Sequence, residues 1–177
     1  HGLLKPGAKL LYRALQKWKE QGLIKNIGAT VYKASEIKRL LNYTDVKVIQ
    51  APVNLFDQRL LMDGTLETMK KHGVTVHARS IFMQGILLKP QSFQHSQAIA
   101  KYKNWLIENQ LNPLEACLKF ATQQPFIDAI IIGVSMVAEL QEIMEVLQKV
   151  TKSSNNSYPW DSIAQKDEKL LNPMKWD

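Results

Sequence analysis

The most constraining feature of this chain is a regular alternation. Four short apolar runs, near residues 23–28, 46–53, 74–80 and 129–133, are separated by stretches whose apolar residues recur at helical spacing. The separations are too long for hairpins. The runs are therefore predicted to be parallel strands joined by helical crossovers, an α/β fold. Val74-Thr75-Val76-His77-Ala78-Arg79-Ser80 alternates with period two and is rich in β-branched residues. Ala129-Ile130-Ile131-Ile132-Gly133 is wholly apolar, the pattern expected of a strand buried on both faces.

Between the runs, Leu10, Leu11, Ala14, Leu15 and Trp18 mark an apolar helix face that stops at Gly22. Residues 34–41 and 66–71 read as helices, and Ala98, Ile99, Tyr102, Trp105 and Leu106 mark another. Asn112-Pro113-Leu114-Glu115 is a helix start: Asn caps, Pro tolerates the first position, and Glu can reach back to a free amide. Val137, Leu140, Ile143, Met144 and Leu147 mark the last long helix. A polar linker follows at 151–157. Trp160, Leu170, Leu171 and Trp176 are the expected anchors of a tail over 153–177.

Several classes are excluded or disfavoured. With 45% apolar and 22% charged residues in 177, the chain suits one folded domain and not wholesale disorder. No apolar run approaches the roughly 18 residues of a membrane-spanning helix. The one cysteine, Cys117, cannot form an internal disulfide and fits a reducing compartment. With no signal-peptide pattern, a cytoplasmic location is expected. The chain begins with His1 and its first Met is Met62, so a missing N-terminal part is also expected. The net charge of +7 lies entirely in residues 1–39, which carry nine basic residues against Glu20 and Glu36. No aromatic-basic interleaving accompanies it. The expected reading is a solvated basic helix, with neither nucleic acid nor membrane as partner.

The chemistry-bearing motifs are few. No two glycines stand closer than five residues, so there is neither GxGxxG nor P-loop. The four histidines lack ligand spacing, so no metal site is expected. His77, mid-strand, and Cys117, on a helix, read as core residues. In parallel α/β folds ligands gather at the strands' C-terminal ends. That directs attention to Ala29-Thr30, Gln50 to Asn54, Ser80 to Gly85 and Gly133 to Ser135. Gln50 and Asn54 either present an amide to a ligand or satisfy local backbone. Gly133-Val134-Ser135 opens a helix whose free amides attract phosphate.

These residues carry a resemblance. Leu15-Gln16-Lys17-Trp18-Lys19-Glu20-Gln21-Gly22-Leu23-Ile24-Lys25-Asn26-Ile27-Gly28, Gln50-Ala51-Pro52-Val53-Asn54-Leu55-Phe56-Asp57, Ala78-Arg79-Ser80-Ile81-Phe82-Met83-Gln84-Gly85 and Ile131-Ile132-Gly133-Val134-Ser135 through Leu140-Gln141-Glu142 follow in order. Together they resemble the C-terminal half of an aldo-keto reductase over roughly residues 10–147. The tail from Leu171 to Trp176 is similar to one bacterial branch of that family.

The resemblance implies half of a (β/α)8 TIM barrel, its strands the fifth to eighth. It implies an NAD(P)(H) cofactor, NADP or NAD, and hydride transfer to a small-molecule carbonyl. Thr30 and Gln50 would hold the nicotinamide carboxamide. Arg79, Ser80, Ile81, Phe82 and Gln84 would line the nicotinamide face and pyrophosphate, and Gly133, Val134, Ser135, Glu139 and Glu142 the adenosine end. His1 lies near the place of the family's catalytic His. The catalytic Asp, Tyr and Lys have no counterpart here, and Tyr12, Tyr32, Tyr43, Tyr102 and Tyr158 do not match the family's position. The chain alone is then expected to be catalytically incomplete. Arg79 replaces an aromatic, Thr30-Val31 replaces Ser-Asn, Ile143 replaces an Asn, and no Lys or Arg lies between Ser135 and Gln141 to hold a 2′-phosphate. Two other readings stand beside this one: a non-catalytic nucleotide-binding module, and a half-barrel that self-associates through its strand edges.

Overall fold

The computed structural model describes residues 2–42, 44–92, 96–152 and 157–172. A four-stranded sheet runs β1 (Gly28–Thr30), β2 (Val48–Pro52), β3 (Thr75–Arg79), β4 (Ala129–Ile130), in that spatial order with every pairing parallel. The helices are α1 (Ala8–Glu20), α2 (Ala34–Leu41), α3 (Arg59–Met62), α4 (Thr65–Lys71), α5 (Gln97–Glu108), α6 (Pro113–Thr122), α7 (Val137–Lys152) and α8 (Glu168–Leu171). The predicted α/β alternation and parallel crossovers are present.

Strand alternation sorts the two faces of the sheet. Ile49, Ala51, Val76 and Ala78 are fully buried and pack with Ile37 and Leu40 of α2, Leu66 of α4, Ile99 and Tyr102 of α5, and Leu118 and Phe120 of α6. The intervening residues, Val48, Gln50, Thr75, His77 and Arg79, are half-buried on the other face.

The first strand lies later than the apolar run 23–28 suggested. Gly22 takes a left-handed φ of 73°, and Leu23 N–H closes back onto the Trp18 carbonyl at 2.9 Å. Leu23 is left exposed. The ladder starts where Lys47 N–H reaches the Ile27 carbonyl and ends where Val31 N–H reaches Gln50, so Ala29 and Thr30 lie inside the strand. At Gly28 a Cβ would stand 2.8 Å from the Val48 carbonyl oxygen, so only glycine allows this approach.

The last strand is shorter than 129–133 and is not buried on both faces: Ile131 is 42% exposed. It sits at the sheet edge. Its ladder ends after Ile131 N–H donates to the Ala78 carbonyl, because Ser80 turns the neighbouring chain away with φ 57°. At the opposite edge the apolar face predicted for α1 is largely uncovered, with Leu10 71% and Trp18 49% exposed. β1 is the outer strand there, and no further described strand pairs with it.

The C-terminal segment returns to the loop after β2. Gln58 Nε2 donates to the Trp160 carbonyl at 2.7 Å, and Gln165 N–H donates to the Phe56 carbonyl at 2.8 Å. Trp160 stacks among Trp105, Phe120 and Tyr158. Glu168 of α8 pairs with Lys33 and Arg59. Trp160 and Leu171 act as the anticipated anchors, and Trp176 lies outside the described residues.

Candidate functional site

Across the half-buried face of the sheet, the register sets Thr30 beside Gln50 and Gln50 beside His77. These three side chains share a recess of about 380 Å³ with Gly2, Leu3, Leu11 and Leu15. Thr30 and Gln50 are thus neighbours. His77 is not a closed core residue; it lies half-buried in this recess. The strand's period of two was the signal that put it on Gln50's face.

Two residues past β2, Asn54 follows its other reading. Its Oδ1 accepts from Phe56 and Asp57 N–H at 3.0 and 2.8 Å, and its Nδ2 donates to the Ser80 carbonyl at 3.1 Å. It holds backbone and fixes the end of β3 from next door.

The segment after β3 is unusual. Ser80, Met83, Gln84 and Gly85 all have left-handed φ, of 57°, 48°, 55° and 86°. Non-glycine residues held there cost roughly 1 kcal/mol or more each and cluster at ligand sites. The Asn54–Ser80 hydrogen bond and a Met83 N–H bond to the Ser80 carbonyl at 2.9 Å hold the bend. Sequence reading named the residues here but not their backbone.

Ser80, Ile81, Phe82, Gln84, Gly133, Val134, Ser135, Glu139 and Glu142 line one cavity of about 940 Å³, with the start of α6 closing a side. The cavity is large enough for a nucleotide. Nine of the residues singled out by sequence are therefore together in space, Thr30 and Gln50 share a second recess, and Arg79 lines neither. His1 lies outside the described residues.

Glu139 brings a negative charge to the cavity wall. Its carboxylate accepts from Ser135 and Met136 N–H at 2.7 and 3.2 Å. Two of the amides expected to attract phosphate are thus already engaged. Lys89, in the segment after Gly85, lines the same cavity and was not identified from sequence. It supplies a cation from elsewhere in the chain, where the loop from Ser135 to Gln141 has none.

Arg79 stands apart. Its guanidinium lies 4.3 Å from the centre of the Tyr32 ring, and Nη1 donates to Ser80 Oγ at 3.2 Å. Tyr32 lies two residues beyond β1, so it too reaches the strand ends. The remaining described tyrosines are occupied elsewhere. Tyr12 Oη bonds Gln16 and Asp45, Tyr158 meets Lys119, and Tyr102 Oη donates to the Leu87 carbonyl. Burial pushes the Tyr102 phenol up, with Cys117 adding to it, and burial pushes the Cys117 thiol up to about 12. Neither group can exchange a proton readily near neutrality. Among the described residues no group of His, Cys, Asp and Glu side chains could hold a metal ion. No described helix is long and apolar enough to cross a membrane.

Comparison with known proteins agrees with this geometry. The model of the Aldo/keto reductase family matches residues 8–165. The uncharacterized oxidoreductase YqkF of Bacillus subtilis (strain 168) is 23% identical over 144 residues, covering 73% of this chain and 46% of that protein. Among solved structures, the holo form of the aldo-keto reductase AKR11C1 from Bacillus halodurans superposes with a TM-score of 0.65 at 16% identity, over 84% of this chain and 57% of that one. The thermostable aldo-keto reductase Tm1743, solved with the inhibitor epalrestat, gives a TM-score of 0.62 at 18% identity, over 88% and 53%. The chain spans about half the length of these relatives. With most of its length matched by the family model and its parallel sheet shared with these structures, the chain belongs to the aldo/keto reductase family.

Proposed function

We propose that residues 1–177 form one domain, the second half of a (β/α)8 barrel with the tail over 153–177. We assign it the nicotinamide dinucleotide site of a cytoplasmic oxidoreductase that reduces a carbonyl by hydride transfer. In this reading β1 to β4 are the barrel's fifth to eighth strands. Thr30 and Gln50 hold the carboxamide; Arg79, Ser80, Ile81, Phe82 and Gln84 flank the nicotinamide and pyrophosphate; Gly133, Val134, Ser135, Glu139 and Glu142 receive the adenosine half. The bound cofactor supplies the hydride. The observation that carries the reading is the single cavity shared by nine of these residues at the C-terminal ends of parallel strands.

Two consequences follow from the same residues. The chain by itself turns over no carbonyl, because a positioned general acid contributes about 10²–10⁴-fold and no described tyrosine matches the family's acid. Glu139 and Glu142 oppose a 2′-phosphate while Lys89 favours it, so NADPH and NADH should bind within about tenfold of each other, a difference of about 1.4 kcal/mol. Calorimetric titration with both nucleotides tests the site. Absence of binding to either overturns it, and a preference for NADPH beyond tenfold makes Lys89 the holder of the 2′-phosphate. Aldehyde turnover by the purified chain would show that the acid is present after all. The open edges of β1 and β4 and the exposed faces of α1 and α7 favour a second reading, self-association of two half-barrels, which solution mass measures.

A further inference from the structure

The least satisfied charge among the described residues is at the end of β3. Arg59 is engaged by Asp57 at 2.8 and 2.9 Å, and Arg39 by the Leu4 carbonyl. Arg79 has no carboxylate partner. Its Nε and Nη2 are buried without any hydrogen bond, while Nη1 is taken by Ser80 Oγ.

Which nitrogens are idle matters. Nε–H and one Nη2–H point the same way from the guanidinium plane and form its side-on fork, the edge that grips a carboxylate through two parallel bonds. The structure therefore leaves open a complete bidentate edge. Tyr32 fixes the plane of the group from one face, and Ser80 fixes its far corner. A cation whose donors are hidden from water gains by the arrival of an anion that accepts from them. Strand alternation puts Arg79 on the same face as His77, and His77 is registered beside Gln50. The idle fork thus stands one step beyond the Thr30–Gln50 recess, on the side where the family's chemistry occurs, and outside the nucleotide cavity.

We propose that the Nε–Nη2 edge of Arg79 receives a carboxylate of the carbonyl substrate, so that this site takes an oxo acid or a carboxylated aldehyde in preference to an uncharged carbonyl compound. The inference rests on the cofactor reading above, since a substrate is defined only beside the nicotinamide. Both nitrogens are covered in this structure, so the ligand reaches them only when a side chain lying over that edge moves aside. Arg79 acts as a specificity-determining group and moves no proton.

The test uses the 177-residue chain and three titrants: oxamate, which carries a carboxylate next to a carbonyl carbon, inorganic phosphate, and ADP. Oxamate is expected to bind saturably to the wild-type chain. Arg79→Met should weaken that binding about tenfold or more, the weight of one charge-assisted pair. Arg79→Lys, which keeps charge but not the fork, should also weaken it. ADP affinity should fall much less than oxamate affinity in both variants, because Arg79 does not line the nucleotide cavity; an equal fall in both overturns the proposal. No saturable oxamate binding, oxamate binding equal in wild type and Arg79→Met, or an Arg79-dependent preference for phosphate over oxamate each overturns the proposal. Failure of ADP to bind while oxamate does so overturns the cofactor reading instead. If Arg79→Met does not fold, the Nε–H resonance of Arg79 in the wild-type chain decides: it shifts on adding oxamate, or the proposal fails.

Discussion

The loops after β2 and β3 occupy equivalent places, at the C-terminal ends of adjacent central strands, yet they are built in opposite ways. From Val53 to Gln58 every residue is buried, the left-handed region is avoided, and Asn54, Asp57 and Gln58 spend their polar atoms on backbone or Arg59. From Ser80 to Gly85 four residues adopt left-handed conformations, and the side chains of Ser80 and Gln84 line a cavity. The first loop is a fastening and the second a receptor. Residue type distinguishes them poorly, since both mix apolar residues with at least one amide side chain. The difference lies in whether the polar atoms are consumed within the protein or left facing space.

Three substitutions probe this contrast. The largest expected effect is at Phe56, which is fully buried edge-on to Tyr102 with ring centres 5.6 Å apart. Phe56→Ala should cost about 3–5 kcal/mol, read from the urea midpoint of unfolding. A loss below about 1 kcal/mol would mean the first loop is no fastening. Next, Asn54→Ala removes three hydrogen bonds and strands the amides of Phe56 and Asp57. A cost of about 2–3 kcal/mol is expected, together with weaker nucleotide binding, because Ser80 loses its support. Unchanged nucleotide affinity in a destabilised variant would uncouple the two loops. The smallest effect is of opposite sign. Gln84 holds φ 55° at an exposed position, so Gln84→Gly should stabilise the chain by about 1 kcal/mol in thermal melts while weakening nucleotide binding. A destabilised variant would show that Gln84's side chain, and not its backbone, matters for the fold.

Much of the framework is readable from the sequence because it depends on local rules. α2 occupies 34–41 as expected, and Asn112 caps α6 by accepting from Glu115 N–H at 2.9 Å. The Glu115 side chain, however, pairs with Lys119 and not with a free amide. What the sequence conceals depends on neighbours. The run 23–28 is apolar enough for a strand, but the turn at Gly22 delays pairing until Ile27. The run 129–133 looks doubly buried, yet an edge position uncovers it. At the candidate site, residue identities at the strand ends are visible from pattern and resemblance. The capture by Glu139 of two amides just before α7, the arrival of Lys89 and the idle edge of Arg79 are not, because each depends on side-chain directions.

The return of the C-terminal segment to the loop after β2 has a consequence for how the chain folds. Each strand lies beside its neighbour in sequence, so the sheet can be added to in the order of synthesis, the longest step being the one from β3 to β4. The contact between Gln58 and Trp160 spans 102 residues and cannot form until the tail is available. During synthesis the sheet therefore precedes its own latch. A nascent chain paused after β4 would carry all four described strands while its loop after β2 is still open to proteases, and the emergence of Trp160 from the ribosome would be the event that lets the latch close.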